Sequence, residues 1–584
     1  MFTTKTLWAC AFSLLIAHAA FAQTPVPIPA KDNTQVCHVV DATKASQRPA
    51  VLLDGYGKTP MPITTKSPEA QAFFNQGLAL LHSFWFYEAD RSFERAAQLD
   101  PECAMAQWGI AMCGVNDARR DAAIKRGKEL AAQVSAKISE REQLYLAAIE
   151  ARYKGERTLV QNNNSLGGSD DYAKGMRKVV AFYPDDDEAK LFLALALMAG
   201  FERDGTPRAG AVECIALLQV VLSKQPQHLA ANHYMIHATE SSKRPQDGEA
   251  AADIYGTLAP RVGHAVHMPG HTYVHLNRWQ DAAAAFENSA AVDRAYIRDN
   301  QEESDHAAGP YGHNVHFLTL VYNYQGRYRD SLHTSQELLD VGTQKGEEKS
   351  RTALEGRLSR MRTLVRFEKW DEILDGTTLP TEGNFEVFKA WRMYAQGLAK
   401  LGKGDVAGAR EQLAALEREA AYVREKLPKE KDLPQAGRQR QQSKALMVAP
   451  LELKARILAA EKAKPEEVLA TLKQAIEEEA KLGYSEPPIY TNPTEEMAGR
   501  VMLALQNSKE AETFFAAALE RDPGSGRALL GLSQAQHALG KSDEAKANHV
   551  KFVKAWLRAD ADLPETAKAK ELAAASGGSS GSQQ

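Results

Sequence analysis

Cysteine is scarce, with five in 584 residues. No C-x-x-C or C-x-x-C-H occurs, so a thiol redox site and covalent c-type haem attachment have no support. Several catalytic signatures are also missing. There is no H-E-x-x-H, no phosphate loop, no G-x-S-x-G and no dinucleotide fingerprint. The common hydrolase, kinase and dehydrogenase readings therefore lack a positive signal. Neither sign of charge dominates: 71 Lys and Arg stand against 75 Asp and Glu, for a net charge of −4. That balance calls for neither nucleic acid nor an anionic membrane. After the N-terminus no apolar run is long enough to span a bilayer, and strand-like runs are few.

What is present is ordinary for a soluble globular chain: 25% charged and 44% hydrophobic residues. At this length the chain reads as several domains or an extended repeat array. Residues 1–22 have the form of a secretory signal, with Lys5 as the positive region, Leu7 to Ala17 mostly apolar, and Ala20-Phe21-Ala22 as the cleavage site. Cleavage near Ala22 predicts an exported protein, periplasmic or secreted. Four cysteines then remain: Cys37, Cys103, Cys113 and Cys214. An even count permits disulfides in an oxidising compartment. Cys103 and Cys113 share one expected helix, about 15 Å apart, and cannot pair within it.

Residues 23–66 read as a loose lead-in that packs on the first repeat. From Ser67 the pattern is one of amphipathic helices. Gly77, Ala89, Phe93, Ala96 and Pro101 recur at spacings that let two helices approach, place a phenylalanine between repeats and stop the second helix. The same frame fits 229–262, 263–296, 312–345 and 492–525, and 390–420 more loosely. On these residues the chain resembles the tetratricopeptide repeat family. L-L-H-S-F-W-F-Y-E-A (80–89), L-D-P-E-C-A-M-A-Q-W-G-I-A-M (99–112) and H-M-P-G-H (267–271) resemble a group of exported bacterial repeat proteins of unassigned activity. The resemblance implies an all-α fold, a right-handed superhelical solenoid of helical hairpins. The expected segments are repeats over 67–228, histidine-rich repeats over 229–345 and drifted repeats over 346–420. A linker or long loop over 421–447, repeats over 448–560 and a disordered tail over 561–584 follow. The aromatic run Phe84 to Tyr87 reads as core between the first two repeats, and Tyr484 to Pro488 as a Pro-rich turn.

Half of the chain's 16 histidines fall in three short pieces, 232–240, 264–275 and 311–317. His233 and His237 are four apart, as are His267 and His271, and the second pair follows the first by 34 residues. Residues at i and i+4 share a helix face, and two histidines so placed can hold one metal ion. In the repeat family, positions 2, 5, 9, 12 and 13 of the first helix line the concave groove. That rule places His233, His237 and Glu240 inward in 229–262, then His264, His267, His271 and His275 in 263–296, and His313 and His316 in 312–345. Pro269 and Gly270 leave two readings: a helix bent at the proline, or a helix that begins there with His264 and His267 on a lead-in turn.

These eight histidines are candidate ligands for a divalent transition metal (zinc, copper or iron), since imidazole suits all three. Six nitrogens suffice for two ions with three histidines each, which leaves an open position on either. Met235 and Met268 read as packing residues. Three functions follow as expectations. The first is a multi-histidine metal site in the groove. The second is a scaffold that binds a peptide or protein partner. The third is a metal-dependent hydrolase or oxidase with Glu240 as general base.

Overall fold

In the computed structural model the described residues are 50–114, 117–133, 138–154, 168–202, 204–300, 311–343, 351–379, 386–426, 442–482, 488–490 and 492–577. The expected signal, Cys37 and all of the expected turn except Pro488 lie outside them. All belong to one unit, Val39–Gln584. Among them the fold is all-α, and an isolated bridge between Phe201 and Pro207 is the nearest thing to a strand.

Helices follow one another as hairpins. The first four pairs are α1 (Pro68–His82) with α2 (Phe86–Leu99), α3 (Ala104–Cys113) with α4 (Asp117–Ala131), α5 (Glu140–Arg152) with α6 (Asp170–Phe182), and α7 (Asp187–Leu197) with α8 (Ala211–Lys224). The histidine-rich pairs are α9 (Leu229–Thr239) with α10 (Glu249–Leu258), α11 (Gly263–His275) with α12 (Trp279–Asn300), and α13 (Gly312–Tyr324) with α14 (Tyr328–Thr343). Next come α15 (Arg351–Arg366) with α16 (Trp370–Leu374), α17 (Glu386–Gly402) with α18 (Val406–Lys426), and α19 (Val448–Ala460) with α20 (Pro465–Ala480). The last are α21 (Thr494–Ala504) with α22 (Ser508–Arg521), α23 (Gly526–Ala538) with α24 (Ser542–Ala555), and a single α25 (Pro564–Gly577). Each helix packs on its hairpin partner, which makes the chain a solenoid of TPR-like hairpins.

Two repeated devices build the solenoid. First, a glycine on the leading helix faces a phenylalanine on the following one. A Cβ on Gly77, Gly270 or Gly499 would come within 2.9, 2.5 or 2.8 Å of the ring of Phe93, Phe286 or Phe515. The backbones can approach at that point because no side chain stands between them. Second, eight leading helices end in one cap, with a left-handed residue at Phe84, Asn277, Gly326, Glu368, Gly404, Lys462, Gln506 or Gly540. The next backbone N–H turns back to the helix in every case, as in Trp85 to the Leu80 carbonyl at 2.9 Å and Arg278 to that of Tyr273 at 2.8 Å.

Parts of the chain distant in sequence also meet. α1 and α2 come back against α9 and α12, where Trp85 and Tyr296 meet at 4.6 Å between ring centroids and Tyr296 donates to Glu88. Farther along, the Trp556 indole N–H donates to the Tyr324 carbonyl at 2.8 Å, and Arg366 pairs with Glu496 at 3.3 Å.

The lead-in packs as expected where it is described: the Leu53 and Ile63 N–H groups donate to Gln76 and Gln71 of α1. Part of the expected disordered tail is instead α25. Its Ala- and Lys-rich sequence favours helix, and Leu563 and Ala569 are buried against Phe552 and Trp556. Of the expected linker, 421–426 continue α18, 427–441 lie outside the described residues, and 442–445 are helical. Cys103, Cys113 and Cys214 are buried free thiols. Burial pushes those of Cys103 and Cys214 up to about 12.

Candidate metal centre

α11 settles the choice raised by Pro269. It runs unbroken from Gly263 to His275 with the proline inside, so His264, His267, His271 and His275 share one helix. Proline removes one backbone hydrogen bond there. α10 approaches closely at Gly256, where a Cβ would stand 3.6 Å from the Pro269 ring and 3.7 Å from the Ala265 carbonyl oxygen.

The histidines assemble into two groups of three: His233, His237 and His264, and His267, His271 and His313. Within each group one ligand nitrogen per ring lies within 4.8 Å of the others. The rule of assembly is the same in both. A pair at i and i+4 on one leading helix takes its third imidazole from the start of the next leading helix. α9 is thus joined by His264 of α11, and α11 by His313 of α13. The two trios are successive steps along the solenoid, with His264 and His267 6.1 Å apart between ring centroids. His316 and His275 stay outside both. His316 Nδ1 lies 3.9 Å from Glu355, and Leu320 occupies the position where its i+4 partner would be. His275 is the last residue of α11.

His233 and His267 are 0% exposed and His271 is 6% exposed. His237, His264 and His313 are half-buried. Burial, with the neighbouring imidazoles adding to it, holds His233, His264 and His267 well below the ordinary histidine range. They are neutral near pH 7, which is the form that coordinates metal. The hydrogen bonds choose the tautomer. His233 Nδ1–H donates to the His82 carbonyl oxygen at 2.5 Å, which leaves its Nε2 lone pair directed at His264 Nε2, 3.1 Å away. His271 Nε2 meets His267 Nε2 at 2.8 Å. Two such nitrogens share one proton at best, and a cation between them would use both lone pairs. His237 Nε2 and His267 Nδ1 are buried without a hydrogen-bond partner. A buried polar atom of this kind costs free energy unless something binds it.

Glu240 faces the backs of the rings. Its carboxylate is 3.4 Å from His237 Nδ1 and 3.8 Å from His271 Nδ1, one histidine from each trio. That geometry orients ligands, as carboxylates behind metal-bound histidines do. A general base would instead face the substrate side of the ion.

Several contributors carry no signal in histidine spacing. His82 supplies the carbonyl to His233. Its own ring is fixed between Glu188 Oε2 at 2.7 Å and the Tyr234 hydroxyl at 2.8 Å. Phe84 lies 4.5, 5.5 and 5.7 Å from His233, His237 and His264 between centroids, so one member of the aromatic run faces a trio as well as the core. Phe317 stands in the same relation to His267, His271 and His313, at 5.0, 4.5 and 4.9 Å. Met235 and Met268 are buried in the core, away from any ligand role.

Residues 502–570 match the family model of the tetratricopeptide repeat. Among solved structures, the chain is similar to a chain of the APC/C hetero-tetramer Cut9-Hcn1, at 11% identity over 89% of this chain and 79% of that one, with a TM-score of 0.28. It is also similar to the P58(IPK) TPR domain, at 12% identity over 81% and 99%, with a TM-score of 0.21. Yeast Tom70 aligns at 12% identity over 88% and 90%, again with a TM-score of 0.21. No curated protein matches the chain significantly.

Proposed function

We propose that this repeat protein binds transition-metal ions at two three-histidine sites, His233/His237/His264 and His267/His271/His313. The observation that carries the reading is the repetition of one ligand arrangement at successive steps of the solenoid, with one ring nitrogen in each trio, His237 Nε2 and His267 Nδ1, buried without a hydrogen-bond partner. Three neutral imidazoles per ion suit zinc, copper or iron. The test is elemental analysis of the mature protein purified without a histidine tag, before and after reconstitution with each metal. The expected content is about two equivalents. Less than about a tenth of an equivalent after reconstitution would falsify the reading, because three-histidine sites with oriented ligands hold metal far more tightly. The signal-like residues 1–22 support export, so the metal would be acquired in the periplasm or outside the cell.

A second reading, a scaffold for a protein or peptide partner, draws on α24. Val550 and Val553 near its end and Leu557 just beyond it are 67%, 48% and 71% exposed. Pull-down from an envelope extract with and without chelator separates the two. Chelator-insensitive capture of one partner supports the scaffold; capture abolished by Val553→Lys would place the partner on this face.

A further inference from the structure

We infer that each trio is a three-coordinate site for monovalent copper, so that the chain carries a pair of Cu(I) ions. This rests on the preceding reading and narrows it to one ion and one coordination number.

The donor set is the first reason. Each site offers three imidazole nitrogens and, among the described residues, neither a thiolate nor a carboxylate. Glu240 touches ring nitrogens on the outer side and is shared between the two groups. An ion in either trio therefore keeps its own charge in a buried setting, where His233 and His267 are 0% exposed. The Born cost of burial rises with the square of the charge, so a monovalent ion costs about a quarter of what a divalent ion of that size costs.

The second reason is what stands beside the ligands. Zinc held by three histidines completes its shell with water or substrate. Here one phenyl ring is in contact with all three imidazoles of each trio, Phe84 in the first and Phe317 in the second. Apolar carbon thus packs directly against the ligand rings of each trio. A closed-shell monovalent copper ion is satisfied by three nitrogens, and the face of an aromatic ring attracts a cation.

The third reason is the backbone at Phe84. Its φ is +57°, a conformation unusual for a bulky residue. At the same place in seven other hairpins stand Asn277, Gly326, Glu368, Gly404, Lys462, Gln506 and Gly540, each glycine or polar. The turn itself does not ask for a phenylalanine. The ring is held by Phe86 at 5.9 Å, Tyr234 at 5.8 Å and the three histidines. The ring itself is half-buried.

The test is an anaerobic titration of metal-free protein with Cu(I) against bicinchoninate, beside a Zn(II) titration against a chromophoric zinc chelator. X-ray absorption of the copper-loaded protein reports the coordination number. Expected are two Cu(I) per chain, three nitrogen donors each and no oxygen donor. Phe84→Asn removes the ring while placing a residue suited to the left-handed turn, and circular dichroism checks that it folds. It is expected to lower the preference for Cu(I) over Zn(II) by roughly tenfold at one of the two sites, the other serving as control. Phe84→Leu, which keeps apolar bulk, should fall between. Tighter binding of zinc than of Cu(I), an oxygen donor on copper, or an unchanged preference in a folded Phe84→Asn protein overturns the inference. Failure to bind any metal instead overturns the preceding reading.

Discussion

His233 Nδ1–H donates to the carbonyl oxygen of His82 at 2.5 Å, across 151 residues of chain. The bond ties the first hairpin to the candidate metal centre and sets which nitrogen of His233 is free to coordinate. The carbonyl is in turn held in place by the His82 ring, between Glu188 and Tyr234. His82→Ala leaves Glu188 buried without its nearest partner and should cost about 3–5 kcal/mol. Urea unfolding measures the loss, and metal affinity at the first trio should fall with it. An unchanged midpoint would show that the network holds nothing.

Two buried acids give stability opposite dependences on pH. Burial alone would raise Glu188, but His82 and His228 together hold it at about 2. Its folded pKa lies below its unfolded value, so its contribution is full above about pH 4.5 and is lost as pH falls towards 2. Asp293, pushed up to about 7 by burial, behaves the other way. Its folded pKa lies above its unfolded value, so stability declines between about pH 4 and 7 as the carboxyl is forced to ionise. Asp293→Asn should flatten that decline and raise the melting temperature at pH 8. Glu188→Gln should flatten only the acid limb. Melting curves from pH 3 to 8 check both signs.

Glu240 reaches one histidine of each trio. Glu240→Gln should therefore weaken metal binding at both sites, by about 10–100-fold, as loss of an orienting carboxylate does elsewhere. Calorimetric titration resolves the two steps. A change confined to one step would sink the shared role.

The glycine–phenylalanine contacts predict a contrast between two substitutions on neighbouring helices. In Gly270→Ala the new methyl would lie 2.5 Å from the Phe286 ring. Overpacking of this kind costs about 1–3 kcal/mol, and the shift would reach His271, the next residue. In Gly256→Ala the nearest atom is 3.6 Å away. That change should be neutral or stabilise by about 0.5–1 kcal/mol through the helix interior. The denaturant midpoint should fall in Gly270→Ala and hold or rise in Gly256→Ala.

Helical class, hairpin repetition and the paired histidines are all legible in the amino-acid sequence. Each depends on spacing along one helix: four residues return to the same face, and 34 residues return to the same place in the next hairpin. The Gly270–Phe286 contact is legible for the same reason, since both residues belong to one hairpin. Eight histidines share the inward pattern, and six of them meet. Helical geometry alone does not say where a face ends, so spacing does not separate His275 and His316 from the other six.

Tertiary structure decided the rest. Which third imidazole completes each pair depends on how far one leading helix is offset from the next, and no spacing within a helix records that offset. Phe84 and His82 reach the centre because the first hairpin packs against the fifth across 151 residues of chain, and Glu188 joins them through the His82 ring. Sequence by itself determined the repeated unit and its pair of candidate ligands; the stacking of units determined the third imidazole, the ring beside it and the burial, because those are relations between helices that local periodicity does not contain.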